Sequence, residues 1–327
     1  SDVYKRQVVG LGHIAQAAVL PAFRNAKQNS VLAALVSDDP EKQRKLGAKY
    51  GIAAERVYPY AEYDKCLKSG EIDAVYIALP NSMHEEYATR AARAGIHVLC
   101  EKPLSSTVAG CDAIVRACER ADVRLMTAYR LHFNAANLMA AEMCRSKKIG
   151  EPRIFNSLFT MQVQSEENIR LRKDLGGGPL PDIGIYCINA ARSLFRDEPD
   201  EVFAWTVNSG DRRFREVHET VSAVMRYPGE RIATFTCSFG AADVASFQII
   251  GTKGDVLLDP AYEYASGLRS VVTIDGKKKE TKFPKSDQFG AELLYFSDCV
   301  LQKRKPEPSG EEGTADVRII EALHRSI

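Results

Sequence analysis

Val8-Val9-Gly10-Leu11-Gly12-His13-Ile14-Ala15 is the stretch on which the fold turns. Two β-branched residues lead into a Gly-x-Gly-x-x-Ala run, and the residues after it carry a helical pattern. In a strand, turn and helix of this kind Gly10 allows the tight turn, and Gly12 removes the Cβ that would block a pyrophosphate. Ala15 stands where a third glycine would bring helix and strand together. The amides of His13 and Ile14, at the helix start, would then face the phosphates. A lone run of this type is a weak signal, so its weight comes from its surroundings.

Those surroundings are repetitive. Apolar, β-branched runs at 8–10, 31–37, 74–79, 97–100 and 124–127 alternate with helical stretches. Strands apolar on both faces and separated by helices form a parallel sheet covered on each side. Residues 1–128 are therefore read as a doubly wound, dinucleotide-binding Rossmann domain of the α/β class. After a helix near 135–145 the pattern changes to longer strands at 153–163, 201–207, 220–226, 232–239 and 246–250. Tyr227-Pro228-Gly229 and Asp275-Gly276 mark tight hairpins. Residues 129–327 are thus expected to form a second α/β domain, for substrate binding and oligomerisation, with a large, mainly antiparallel open sheet. Helices at 288–301 and 311–327 close the chain.

Both ends are unusual. Residues 1–7, Ser-Asp-Val-Tyr-Lys-Arg-Gln, are polar where a buried strand wants apolar residues. They resemble a translated adapter, so they are read as non-native and the first strand as clipped. The last helix stops without a Gly or Asn cap, which suggests truncation there too.

Composition narrows the classes. The 327 residues carry 44 Lys plus Arg against 43 Asp plus Glu, which gives no broad footprint for nucleic acid or an anionic membrane. No apolar run approaches the roughly 20 residues that span a bilayer. Eight cysteines without a CxxC pair read as buried thiols in a reducing, cytoplasmic setting. Six histidines without an i, i+4 pair predict a protein with no metal site.

The end of the second strand bears on cofactor choice. A carboxylate there accepts from a ribose 2′-OH and repels a 2′-phosphate. Ser37 holds that place, and Lys42 could reach a phosphate, which favours NADP. Asp38 and Asp39 keep NAD possible if the loop is shifted by one.

Three further segments carry a resemblance. They are Leu79-Pro80-Asn81-Ser82-Met83-His84, Glu101-Lys102-Pro103, and the glycine-rich run Gly176 to Gly178 leading to Asp182-Ile183-Gly184-Ile185-Tyr186. With the phosphate loop they resemble the Gfo/Idh/MocA oxidoreductases over nearly the whole chain, closest to the branch of glucose-fructose oxidoreductase and dihydrodiol dehydrogenase. The resemblance implies that Leu79, Asn81 and His84 lie beside the nicotinamide ribose, that Glu101 belongs to the cofactor-binding set, and that Arg130 reaches cofactor or substrate. In Tyr129-Arg130-Leu131-His132-Phe133, His132 is read as a local hydrogen-bonding group. A tyrosine at 186, where many relatives have histidine, fits this branch.

The residues support a mechanism. Lys102 lies just past the C-terminal end of a parallel strand, where open α/β sheets place ligands, and its ammonium can stabilise an alkoxide-like oxygen. Asp182, Tyr186 and Asn189 would share one helix face and meet a substrate. A free phenol titrates near 10, so proton transfer at Tyr186 calls for a cation close by, and Lys102 is the candidate. Hydride passes to the nicotinamide, Tyr186 takes the hydroxyl proton, and Asp182 binds a substrate hydroxyl. The expected substrate is a sugar, an aldose or related polyol. The alternatives are a trans-dihydrodiol dehydrogenase-like activity and a non-catalytic NADP-binding regulator. Relatives cover the open sheet by pairing subunits, which implies a homodimer or homotetramer.

Overall fold

The computed structural model describes residues 4–327. The chain divides into two units: the residues up to Arg130 together with Asp287–Ala315, and Leu131–Ser286 together with Asp316–Ile327.

The first unit is built on six parallel strands: β1 (Tyr4–Val9), β2 (Ser30–Val36), β3 (Val57–Tyr58), β4 (Ala74–Ile77), β5 (His97–Glu101) and β6 (Leu125–Ala128). Their order is β3-β2-β1-β4-β5-β6, and each neighbouring pair is parallel. This is the doubly wound order, whose direction reverses between β1 and β4. The C-terminal ends of β1, β4 and β5 lie on one edge, so topology gathers the Gly10–Gly12 loop, the Leu79–Asn81 turn and Glu101-Lys102-Pro103 there. The two-residue β3 has no period to read, and the sequence gives no sign of it.

Two expectations need correction. The first strand starts earlier than Val8: Tyr4–Val9 pair with β2, and Arg6–Val9 also pair with β4. Arg6 and Gln7 are fully buried. Arg6 Nη2 donates to Leu293 O at 2.9 Å, and Gln7 Nε2 lies 2.7 Å from Cys66 Sγ. Desolvation lowers the Arg6 pKa to about 9, and its Nε and Nη1 make no hydrogen bond. The part of the reading that concerns Ser1–Val3 lies outside the described residues. The division near residue 128 is also not a single cut. The helix Gln288–Leu301 packs on β2 and on the helical segments after β1, burying Phe289, Leu293, Phe296 and Val300. An apolar helix face goes to whichever sheet face is bare, whatever its order in the chain.

The second unit has eight strands: β7 (Pro152–Gln162), β8 (Glu201–Val207), β9 (Thr220–Tyr227), β10 (Arg231–Ser238), β11 (Gly240–Gly251), β12 (Gly254–Leu258), β13 (Leu268–Ile274) and β14 (Lys277–Phe283). Their order is β14-β13-β12-β11-β7-β10-β9-β8, antiparallel except for β7 with β10. Alternation is clear on β9, where Val221, Ala223, Met225 and Tyr227 are buried while Ser222, Val224 and Arg226 are exposed. The helix Ile185–Phe195 lies on β7. The other face is open and carries Ile154, Leu158, Phe203, Trp205, Val207, Val224 and Ile232, with Trp205 72% exposed. All eight cysteines are free and buried, and no helix among the described residues is long and apolar enough to cross a membrane.

Candidate active site

In the first unit the phosphate loop follows directly from β1. Gly10 has φ of +90°, and a Cβ there would stand 2.6 Å from Ala78 O, so the approach of β1 to the end of β4 requires glycine. Gly12 is different, because a Cβ at that position would meet no protein atom within 4 Å. The space beside Gly12 is left to something other than protein, which fits a pyrophosphate. The helix opens with a π turn, Ala15–Val19, beyond His13 and Ile14. A cavity of about 300 Å³ beside it is lined by His13, Gln16, Lys45 and Lys49.

Ser37 is buried at the end of β2, and its Oγ accepts from Asp39 N at 3.2 Å. Lys42 pairs with Asp39 at 3.3 Å on the surface. Asp39 caps the helix Pro40–Tyr50, and Asp38 Oδ1 accepts from Tyr60 N at 2.6 Å. No carboxylate therefore takes the place of Ser37, and Lys45 and Lys49 are cations that sequence reasoning passed over because nothing in the local pattern marks them.

His84 departs from the expectation that it lines the nicotinamide ribose. It is 0% exposed, with Nδ1 2.8 Å from Pro103 O and Nε2 2.9 Å from Leu79 O. Burial pushes its pKa down, opposed by the two carbonyls. A ring so enclosed cannot meet a ligand, and it ties the loop after β4 to the loop after β5. Leu79 shares in that tie, and Asn81 starts the short helical turn between them. Arg130 is likewise interior, at 5% exposed, with Nη1 donating to Gln288 Oε1 at 2.8 Å. Its charge acts on the half-buried Glu101 and the buried Glu292. Lys102 is half-buried at the edge, and the Lys102-Pro103 bond is cis. Its amide donates to Glu101 Oε2 at 3.3 Å, and its charge draws the Glu101 pKa down against a larger upward push from burial.

The second unit holds Asp182, Tyr186 and Asn189. A π turn, Leu180–Gly184, runs directly into the helix Ile185–Phe195, so all three ride on one continuous helical path. The glycine run explains the local geometry. A Cβ on Gly177 would stand 2.4 Å from Arg170 O and 2.7 Å from Arg172 O, so the preceding loop lies against it. Gly178 N also donates to Arg170 O at 2.8 Å.

That loop delivers Arg170, which sequence reasoning missed. Arg170 Nε donates to Asp182 Oδ2 at 2.7 Å. The guanidinium pKa is raised chiefly by Asp182, with Tyr186 and Tyr264 adding to it. Arg170 is thus a cation coupled to the phenol within this unit, and Asp182 is engaged with it. The residues 165–175 are visible in the sequence only as a loop without a pattern. Tyr186 is 9% exposed and packs against Phe159 and Tyr262, with ring centroids 5.5 and 5.9 Å away. Tyr262 is fixed in turn by Ser157, its hydroxyl 2.7 Å from Ser157 Oγ.

Asn189 is buried. Its Nδ2 donates to Asp316 Oδ2 at 2.9 Å, and its Oδ1 lies 2.8 Å from His132 Nε2. The ionised Asp316 only accepts, which fixes the amide and makes His132 Nε2 the donor. Asp316 Oδ1 also accepts from Arg192 Nη1 at 2.8 Å. Tyr186, His132 and Asn189 line one cavity of about 50 Å³, with Leu131, Leu138 and Phe247 among its apolar walls. No group of three or more His, Cys, Asp or Glu among the described residues is placed to hold a metal ion.

A nucleotide-binding sheet edge bearing a lysine and a separate sheet unit bearing a tyrosine define a two-unit oxidoreductase architecture, and the comparisons agree. Residues 5–129 match the oxidoreductase family with an NAD-binding Rossmann fold, and residues 138–257 match the GFO/IDH/MocA C-terminal domain. The chain belongs to the GFO/IDH/MocA oxidoreductase family. It is 30% identical to D-xylose 1-dehydrogenase (NADP(+)) 2 of Haloferax volcanii, over 98% of this chain and 96% of that one. It is 27% identical to trans-1,2-dihydrobenzene-1,2-diol dehydrogenase of Xenopus laevis, over 84% and 82%. The crystal structure of aldose-aldose oxidoreductase from Caulobacter crescentus, complexed with glycerol, superposes with a TM-score of 0.95 at 35% identity, covering 99% of this chain and 97% of that one.

Proposed function

We propose that the chain is an NADP-linked oxidoreductase of sugars, acting on a carbinol of an aldose or related polyol. The observation that carries this reading is Tyr186, a phenol at the wall of a small cavity that is coupled to the Arg170 and Asp182 ion pair. The open space beside Gly12 and the absence of a carboxylate at Ser37 support the cofactor. When bound, the nicotinamide supplies the acceptor or donor of hydride.

The chain's own residues handle the rest. Tyr186 takes the hydroxyl proton, with Arg170 stabilising the phenolate that would form. Lys102 donates to the same oxygen and lowers the cost of its negative charge. Asp182 orients Arg170 and binds a substrate hydroxyl. His132 and Asn189 hold each other in the wall of the cavity that Tyr186 lines. A second copy of the chain covers the open sheet face, and a reducing, cytoplasmic compartment suits eight free thiols.

A spectrophotometric screen of both cofactors against aldoses, polyols and aryl trans-diols tests this. The expected result is turnover of an aldose or polyol with higher kcat/KM for NADP. Tyr186→Phe and Lys102→Ala should each lower kcat by about 100-fold or more while cofactor still binds. Turnover within a few-fold of wild type in either variant rejects the assignment. Preference for the aryl diol would favour a second reading, which the apolar walls Leu131, Leu138 and Phe247 and the likeness to the diol dehydrogenase support.

A further inference from the structure

Behind Lys102, inside the first unit, two carboxylates meet one hydroxyl. Tyr76 Oη lies 2.8 Å from Glu101 Oε1 and 3.2 Å from Glu292 Oε1. Tyr76 and Glu292 are both 0% exposed. A tyrosine hydroxyl has a single hydrogen, so it donates fully to one of the two, and the contact with the other is favourable when that carboxyl itself donates to the phenol oxygen. Only a protonated carboxyl can do so.

The surroundings say which one. Glu101 has the Lys102 ammonium beside it and accepts from the Lys102 amide. Glu292 has neither. The groups facing it are Arg6 from β1, Tyr76 from β4, Glu101 from β5 and Arg130 from the turn after β6. Arg6 Nη2 donates to Leu293 O and lies close to Ser297 Oγ, while Arg6 Nε, Arg6 Nη1 and Glu292 Oε2 make no hydrogen bond. An ionised pair would close that gap. Burial, followed by the charge of Glu101, lifts the Glu292 pKa well above the usual carboxylate range.

We propose that Glu292 is a positioning residue for Lys102: it keeps a proton and donates to Tyr76, so that Tyr76 donates to Glu101 and holds that carboxylate charged beside the lysine. The chain of command is Glu292, Tyr76, Glu101, Lys102, and it spans 216 positions between Glu292 and Tyr76. This rests on the reading of Lys102 as the group that stabilises the substrate oxygen.

Two measurements test it. In the pH profile of kcat/KM, Tyr76→Phe removes the donor to Glu101, whose carboxylate then protonates more readily. The acid limb should move up by about one pH unit. Glu292→Gln keeps an N–H that can donate to Tyr76, so the limb should stay within about 0.3 unit of wild type. A limb unmoved in Tyr76→Phe, or moved equally in Glu292→Gln, overturns the proposal.

The second measurement needs no turnover, so it separates failure here from failure of the functional reading. A carboxyl whose folded pKa is raised binds more protons folded than unfolded, so its contribution to stability is full below its unfolded pKa and is lost as pH rises toward the folded value. Glu292→Gln lacks that loss. Its urea midpoint relative to wild type should therefore climb as pH rises above the ordinary carboxylate range. A flat or falling difference means that Glu292 is ionised and overturns the proposal, even if Tyr76→Phe fails to fold.

Discussion

Gly10 and Gly12 stand two residues apart and do different work. At Gly10 the backbone is left-handed and the end of β4 is in the way, so Gly10→Ala should cost about 2 to 3 kcal/mol in urea unfolding. A Cβ at Gly12 would meet no protein atom within 4 Å, so Gly12→Ala should stay within about 0.5 kcal/mol of wild type. It should still weaken NADP binding by about tenfold, roughly 1.4 kcal/mol, read by fluorescence titration. If both variants lose stability equally, the loop is structural and the cofactor reading loses its physical basis. The same scale separates what a motif tells from what it hides. Glu101-Lys102-Pro103 and Asp182 with Tyr186 are legible as chemistry because their residue types are costly to place without a use. His84 and Arg130 belong to equally good motifs, yet both are enclosed by backbone carbonyls or buried side chains. A motif states which residues stand together in the chain and is silent on which are wrapped.

At the scale of elements, both candidate helices begin with a π turn after a glycine-bearing loop, Ala15–Val19 and Leu180–Gly184. Such turns gather at functional sites, and hydrophobic periodicity does not register them. The helix Ile185–Phe195 is further tied to the last helix, Gly310–Ser326, by Asp316, which accepts from both Asn189 and Arg192. Arg192 and Asp316 are buried, while the other partner of Arg192, Glu198, is largely exposed. Asp316→Ala should thus lower unfolding free energy by about 3 kcal/mol, because it strands a buried guanidinium and frees the amide that orients His132. A loss below about 1 kcal/mol would mean that Glu198 alone holds Arg192. The sequence shows both helices by their period but not that one supplies the other's counter-charge, since 124 residues separate Asp316 from Arg192.

For the whole molecule, the open face of the second sheet dominates. Phe203 and Trp205 on β8, Val224 on β9, Ile232 on β10 and Ile154 and Leu158 on β7 share one exposed face, interleaved with Ser222, Thr234, Thr236 and Asn156. Covering it with a second copy predicts a dimer or tetramer by light scattering. Phe203→Glu with Trp205→Glu should shift the mass to a monomer without changing the circular dichroism spectrum. A wild-type monomer at micromolar concentration would rule the assembly out. The sequence by itself determined the doubly wound sheet, because glycine turns, alternation and strand ends are local signals, and the motifs that carry the family resemblance implied the oxidoreductase class and the candidate lysine and tyrosine. Only the tertiary structure decided that Tyr4–Gln7 belong to β1, that Asp287–Ala315 belongs with the nucleotide unit, that Arg170 is coupled to Tyr186, and that Glu292 meets Tyr76. Each of these depends on burial and on partners distant in the chain, which no periodicity encodes.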